Sequence, residues 1–298
     1  MLVILNKEVF IVLKTNIEKL VMQAVIGEIA HPRMDNPYKV GYDGTAQILP
    51  GIGSITYNIG IGDSAFGWEG DHLEPGVSIR NLSDVENTAM ITLACVGNEA
   101  KVVTGDGKGL KGFVTGTHGG RDNTILYFDK DKLDDLAIGD KIQIKTLGLG
   151  LKFLDYPDIK IMSIDPAVLA AMDISEADGC IEVPVVAQVP PFLMGSGIGA
   201  TVSYKGDYDI MTHDQETIQG LGLEKLKLGD FVLLQDCDNT YGRGYLKGAV
   251  TVGVVIHSNC ILAGHGPGVV TVLSCKTGKI KPRIDKKANL GYYKGILK

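Results

Sequence analysis

Residues 242–268 read GRGYLKGAVTVGVVIHSNCILAGHGPG, which places a turn, a strand and two histidines in one stretch. Glycines flank Arg243, a run of valines follows, and the run ends at His257, with His265 between glycines shortly after. β-Branched residues bounded by turn-forming glycines are typical of a β-strand. The stretch therefore predicts a strand that presents polar groups at its end.

An earlier stretch repeats this order in weaker form. Residues 107–118 read GKGLKGFVTGTH, so a glycine-basic-glycine turn again leads to a β-branched strand that ends at His118. Turns of the form Leu-x-x-Gly begin at Leu73, Leu136 and Leu226, each just before a predicted strand. We expect a mainly β, barrel-like fold, and the repeat suggests duplication.

Helix signals are few. Asp165 suits an N-cap and Pro166 suits the first helical position, so residues 166–172 are predicted as a helix. A second short helix is predicted over residues 129–136 and a strand over residues 89–96. We divide the chain into an N-terminal arm, two β-rich domains and a basic tail: residues 1–19, 20–150, 160–275 and 276–298.

The composition limits the classes of protein that the chain can belong to. Its 298 residues are enough for a large core, and its 39 glycines indicate many tight turns. A net charge of −6 argues against nucleic-acid binding, and the lack of an apolar run of 18 residues argues against a membrane span. Five cysteines without a C-x-x-C pair predict reduced thiols and a cytoplasmic location.

The two ends of the chain differ from its body. Residues 1–13 of the arm are largely apolar, and residues 276–298 carry eight basic residues against one acidic residue. Such a tail is expected on an acidic surface of its own chain or of a neighbouring subunit. Because both ends are too short to fold alone, we expect them to pack on a neighbour in a homo-oligomer.

The loop over residues 60–72 is the first candidate site. It places Asp63, Trp68, Asp71 and His72 among glycines, where a pocket wall or a metal or acid-base site is expected. Asp63, Asp71 and His72 are the candidate metal ligands. The alternative is a surface turn in which the aspartates bond their own backbone and the tryptophan fills the core.

His257 and His265, with Cys260 between them, form the second candidate, and His118 is the matching residue of the earlier strand. Imidazole and thiolate are good ligands for zinc-like ions, but no metal-binding spacing is present. Buried histidines bonded to carbonyl groups and a buried inert cysteine remain the alternative. Cys260 as a nucleophile is a further open interpretation.

Asp236, Tyr241 and Arg243 form the third candidate, in which the arginine could hold a carboxylate or phosphate. An Asp–Arg pair in a turn is the alternative. The calcium-loop pattern that starts at Asp236 fails, because its twelfth residue is Lys247.

No nucleotide cofactor is expected. The glycine loop at 195–199 leads to a strand-like pattern at 200–204 instead of a helix, and the loop at 105–109 lacks the serine or threonine of a phosphate-binding loop.

Several segments together resemble a family of prokaryotic proteins known only as a domain of unknown function, number 4438. The resemblance covers residues 20–274, implies a β-barrel-like fold and brings no established activity. It is carried by residues 25–32, 36–44, 55–58, 67–78, 194–197, 241–245, 255–258 and 264–268.

A fainter similarity is to acetamidases and formamidases. It rests on Gly62-Asp63, on Gly70-Asp71-His72 and on Thr117-His118-Gly119-Gly120. It implies a metal-dependent amidase, although the fuller Asp, His and Glu pattern of those enzymes is missing here.

Two functions therefore stay open. The first is a β-barrel protein that binds a small polar ligand in a pocket lined by Asp, His and Arg. The alternative is a metal-dependent hydrolase of small amides, with a divalent metal as cofactor.

Overall fold

The computed structural model describes residues 2–5, 8–11 and 13–298, and it is mainly β. The predicted arm includes residues 1, 6, 7 and 12, which lie outside the described residues. The strands are β1 Leu2–Leu5, β2 Glu8–Ile11, β3 Gln23–Ile29, β4 Lys39–Val40, β5 Ala46–Gln47, β6 Ile55–Thr56, β7 Gly76–Arg80, β8 Glu99–Val102, β9 Lys111–His118, β10 Asn123–Tyr127, β11 Lys141–Thr146, β12 Ile159–Ile161, β13 Ser175–Ala177, β14 Cys180–Val185, β15 Ala187–Val189, β16 Tyr208–Asp209, β17 Phe231–Asp238, β18 Gly244–Val255, β19 Gly268–Cys275 and β20 Ile280–Ile284.

Four short α-helices and four 3₁₀ segments complete the described structure. None of the described helices is long and apolar enough to cross a membrane. The α-helices are α1 Asp84–Leu93, α2 Pro166–Ala171, α3 Gln215–Gly220 and α4 Leu290–Tyr293, and the 3₁₀ segments are Ile17–Lys19, Lys130–Asp135, Pro191–Leu193 and Leu223–Lys225.

The first half of the chain forms a closed barrel of six strands. Their order is β10-β9-β8-β11-β3-β7, and β7 pairs again with β10 to close the ring. The interior is a buried cluster that includes Ile79, Val114, Leu126 and Ile142. The expectation of a mainly β, barrel-like fold is confirmed.

The second half is built differently. It has an open sheet in the order β12-β19-β18-β17-β15, with β16 on β19, and a three-stranded sheet β13-β14-β20. Alternate residues of β17 enter different clusters, Phe231 and Leu233 on one face and Val232 and Leu234 on the other. The sequence repeat is therefore not a repeat of the barrel.

The Leu-x-x-Gly-Asp turns are closed in the same way in both halves. Asp140 accepts a hydrogen bond from the backbone N–H of Ala137 at 2.9 Å, and Asp230 accepts one from Lys227 at 2.7 Å. The glycine before each aspartate has a positive φ, which side chains with a Cβ resist. The expected role of these turns at strand starts is confirmed.

The strand predicted over residues 89–96 is wrong, because most of it lies in α1. Ser83 caps this helix and accepts from the N–H of Glu86, and Met90 packs into the barrel core. The cap, three residues before a glutamate, outweighs the β-branched composition of the segment. The strand-like pattern at 200–204 is also irregular in the structure. The helix predicted over 166–172 is confirmed as α2, capped by Asp165.

The basic tail packs on its own chain. β20 pairs in parallel with β14, Arg283 bonds Asp173 at 2.7 Å, and Lys294 donates to the carbonyl oxygen of Gly97 at 3.1 Å. The tail therefore contacts its own chain, which was one of the two expected surfaces, and its packing on a neighbouring subunit stays a prediction.

Candidate metal centre

Four of the six histidines of the chain meet where the barrel contacts the second half. His72 precedes β7, His118 ends β9, His257 follows β18 and His265 precedes β19. The rings of His118 and His257 are 4.4 Å apart between centroids, and those of His72 and His265 are 5.1 Å apart. These histidines, together with Asp207 and Asp209 around β16, are called the donor cluster below.

The absence of a side chain at Gly116 brings the two halves together. A Cβ there would overlap Ile256, which lies next to His257, so β9 can approach the second half only with glycine at this position. The loop before β7 docks on the same region, because Leu73 N–H donates to Ser258 Oγ at 2.9 Å. These two contacts bring His118 and His72 next to His257, which is distant from both in the sequence.

Two histidines from the first half are fixed through their Nδ1 atoms by carboxylates. His118 Nδ1 lies 2.5 Å from Glu74 Oε1, and His72 Nδ1 lies 3.1 Å from Asp71 Oδ2. A carboxylate accepts the Nδ1 proton, which leaves the Nε2 lone pair of a neutral ring free. This carboxylate–histidine arrangement is typical of metal ligands and their supporting groups.

The two supporting carboxylates are buried and well bonded. Glu74 accepts from Gly53 N–H, Ser78 Oγ and Asn123 Nδ2, and Asp71 pairs with Lys39. Burial raises the pKa of Glu74, but His118 and these donors outweigh it, and the pKa lies below its usual value. For Asp71 the same balance, with His72, Cys260 and Lys39 as partners, also lowers the pKa.

His257 and Asp207 face each other with buried atoms that make no well-aligned hydrogen bond. His257 Nδ1 donates to the carbonyl oxygen of Ser258 at 2.8 Å, which leaves Nε2 free, and Asp207 Oδ1 accepts from Gly119 N–H at 2.6 Å. His257 Nε2 and Asp207 Oδ2 are 2.9 Å apart, yet neither has a hydrogen-bond partner among the described residues. Unpartnered buried polar atoms are costly, and a cation between them would remove that cost.

Asp209 connects the remaining donors. Its Oδ2 lies 2.8 Å from His265 Nδ1 and 3.7 Å from His72 Nε2, while its Oδ1 lies 3.5 Å from His257 Nε2. His72 Nε2 and His265 Nδ1 are 3.1 Å apart. Distances of this size are those between neighbouring ligands of one ion whose bonds are about 2.1 Å long.

The charges of the donor cluster favour a cation. Burial lowers the pKa of His257, but Asp207 and Asp209 outweigh it and hold the pKa well above its usual value. Burial raises the pKa of Asp209, but the histidines outweigh it and hold the pKa well below its usual value. The pocket thus stabilises positive charge next to two carboxylates, such as that of a proton or a metal ion.

His72 adopts a left-handed backbone conformation with φ of +51°. Such a conformation costs energy in a residue with a Cβ and is concentrated at functional sites. This backbone conformation directs the His72 imidazole into the donor cluster, where its side chain is 8% exposed.

Cys260 is also near these histidines, but its thiol is occupied. Sγ donates to Asp71 Oδ1 at 2.9 Å and accepts from Leu262 N–H at 3.2 Å. Burial and the Asp71 charge raise the pKa of the thiol above its usual value. Since the thiolate is the nucleophile and the metal ligand, this environment favours a structural role.

The donor cluster opens into a cleft of about 790 Å³. Lys39, Arg121 and Lys205 in its wall pair with Asp71, Asp35 and Asp122. Arg243, a further cation of the wall, makes no ion pair with any described carboxylate. It is 4% exposed, its Nη2 donates to the carbonyl oxygens of Lys205 and Gly206, and burial lowers its pKa.

Six of the ten pocket residues predicted from the sequence come together here: Asp71, His72, His118, Arg243, His257 and His265.

The other four lie elsewhere. Asp63 pairs with Lys130 at 2.8 Å, and Trp68 donates to the carbonyl oxygen of Ser64 at 2.7 Å. Asp236 accepts from Gly248 N–H at 2.7 Å in the β17–β18 hairpin, and Tyr241 is 78% exposed. Their positions match the turn and surface alternatives.

Sequence reasoning missed Asp207, Asp209 and Glu74. The order Asp207-Tyr208-Asp209 on an extended segment sends both carboxylates to one side, and this alternation was the available signal. Glu74 had no signal, because its role depends on His118, 44 positions away.

Comparison with known proteins gives a family and a close structural relative. A solved structure titled "Crystal structure of TM1086" is 50% identical, with a TM-score of 0.91, over 94% of this chain and 99% of the other. No curated protein matches, and none of these matches supports the amidase similarity. Residues 38–170 match the family described as "Domain of unknown function (DUF4438), N-terminal", and residues 171–294 match its C-terminal counterpart. The chain therefore belongs to the DUF4438 family.

Proposed function

We propose that the protein binds a divalent metal ion in the donor cluster and a small polar ligand in the cleft beside it. The observation that carries the proposal is the buried pair of His257 Nε2 and Asp207 Oδ2, which are 2.9 Å apart and not aligned for a hydrogen bond. Imidazole and carboxylate donors suit first-row divalent ions such as zinc, manganese and iron.

A protonated His257 is the competing explanation for this pair. A ring proton on Nε2 would form an ion pair with Asp207 at 2.9 Å, and the raised pKa of His257 favours it, but the two atoms do not align as a hydrogen bond. Three further histidine rings crowd the same point, two of them with Nδ1 already facing a carboxylate. A metal ion accepts several of these lone pairs at once, whereas a single proton uses one.

Arg243 indicates the chemistry of the ligand. A buried guanidinium without a carboxylate partner favours a ligand that brings its own negative charge. Small molecules with a carboxylate group therefore suit the cleft, and Arg243 would bind that group while the metal ion binds another polar atom.

Calorimetric titration of the metal-free protein with zinc chloride tests the metal site. We expect submicromolar binding, a loss of at least 100-fold in affinity for His257→Gln, and no change for His213→Gln, whose ring stacks on Tyr42 outside the donor cluster. Equal zinc affinity in all three proteins would refute the proposed site.

Hydrolysis of small amides is the second candidate function. The observation that favours it is that His72, His118, His265, Asp207 and Asp209 all line the cleft, so a bound ion would face the ligand. A bound ion would activate a water and polarise the amide carbonyl group, and Asp207 or Asp209 would be the nearby base that takes the water proton and returns it to the leaving amine. Release of ammonia from small amides that requires zinc and is lost in His257→Gln tests this function.

A further inference from the structure

We propose that the donor cluster holds two metal ions, with Asp209 as the bridging carboxylate. The inference rests on the proposed metal site and extends it from one ion to a pair. It follows from the number of donors, their spacing and the two directions in which Asp209 faces.

The six donors occupy more space than one coordination sphere. Around one ion with bonds of about 2.1 Å, opposite ligands are about 4.2 Å apart. Among the described residues, His118, Asp207 and His257 have donor atoms within 4.8 Å of one another, and so do His72, Asp209 and His257. These donors thus form overlapping groups of three, which suit two neighbouring ions.

The donors separate into two sets of two histidines and one aspartate. The first set is His118, Asp207 and His257, whose donor atoms lie within 4.8 Å of one another. The second is formed by His72, His265 and Asp209, with distances of 3.1, 2.8 and 3.7 Å between their donor atoms. His257 also lies near His72 and Asp209, but one imidazole nitrogen binds one ion, and Asp207 is its nearest neighbour.

Asp209 faces both sets with different oxygen atoms. Oδ2 lies among the second set, 2.8 Å from His265 Nδ1, and Oδ1 lies 3.5 Å from His257 Nε2 of the first set. A carboxylate that offers one oxygen to each of two ions is a typical bridge in centres whose metal ions are about 3.5–4 Å apart. Such a pair can hold both the water and the ligand of a reaction.

The supporting groups agree with this division. Glu74 fixes His118 of the first set, Asp71 fixes His72 of the second, and each carboxylate is itself buried and bonded. Each set therefore has its own positioning carboxylate, as expected for two separate ligand shells.

Metal content at saturation tests the inference. The metal-free protein is loaded with manganese chloride, dialysed and analysed for metal per chain, and electron paramagnetic resonance measures coupling between manganese ions. We expect two ions per chain and a spin-coupled signal, about one ion for Asp207→Asn and for His265→Gln, and two ions for the control His213→Gln.

The outcomes separate this inference from the proposed function. One ion per chain in the unmodified protein, with an uncoupled signal, would overturn the pair and leave the single metal site intact. No bound ion would overturn both. Because the unmodified protein decides between these results, a variant that fails to fold does not affect the test.

Discussion

At the scale of the residue, the backbone of Gly268 packs directly against the donor cluster. It lies opposite Asp209 in the β16–β19 pairing. A Cβ at this position would overlap both Asp207 Oδ2 and His257 Nε2. The site therefore depends on a residue that has no functional group of its own.

Gly268→Ala is expected to abolish metal binding. The added methyl group must displace Asp207 or His257, and zinc affinity measured by calorimetry should fall more than 100-fold. Gly244→Ala is the matched control, since a Cβ there meets nothing within 4 Å. Unchanged zinc affinity in Gly268→Ala would contradict the position of the site.

Asp230 is expected to make stability depend on pH. Burial raises its pKa to about 6, above the value of the unfolded chain, so the folded state binds the proton more tightly. The resulting stability is fully present below about pH 4 and is lost as the pH rises through 6, by at most about 3 kcal/mol.

Urea unfolding between pH 4 and 7 measures this effect. The unfolding free energy of the unmodified protein should fall with rising pH relative to that of Asp230→Asn. A constant difference between the two proteins over this range would show that Asp230 has an ordinary pKa.

At the scale of the element, sequence patterns predicted several of the strands and mistook one helix for a strand. β-Branched runs next to turn residues predicted β11, β17 and β18, because strand formation leaves a local signature. Helix α1 was missed, because its valine, isoleucine and threonine residues are typical of strands and the cap at Ser83 was not recognised.

Ser83→Ala is expected to lower the unfolding free energy by about 1 kcal/mol, because it removes the acceptor for the N–H of Glu86. Ser83→Asp keeps an acceptor and should cost little. Equal losses in the two variants, measured by urea unfolding, would mean that the cap does not stabilise α1.

At the scale of the whole molecule, the donor cluster is built from residues of both halves. His72 and His118 come from the first half, and Asp207, Asp209, His257 and His265 come from the second. Sequence analysis found His118 and His257 at predicted strand ends, His72 in the glycine-rich loop 60–72 and His265 between glycines. It missed the aspartates and the closure of the barrel, since both depend on pairing between distant segments. Homo-oligomer formation and a cytoplasmic location stay predictions.

Removal of the metal is expected to destabilise the complete chain. A ligand at 100 times its dissociation constant adds about 2.7 kcal/mol, which corresponds to a fall of roughly 5 °C or more in Tm when a chelator is added. His257→Gln should show no such response. A Tm that the chelator leaves unchanged in the unmodified protein would count against a metal that joins the two halves.

X-ray absorption spectroscopy of the zinc-loaded protein tests the central claim most directly. The account predicts nitrogen and oxygen ligands at about 2.0–2.1 Å, with the outer-shell scattering of imidazole rings and no sulfur. A sulfur ligand at about 2.3 Å would place Cys260 on the metal, and a spectrum of zinc surrounded only by water would mean that the donor cluster does not bind it.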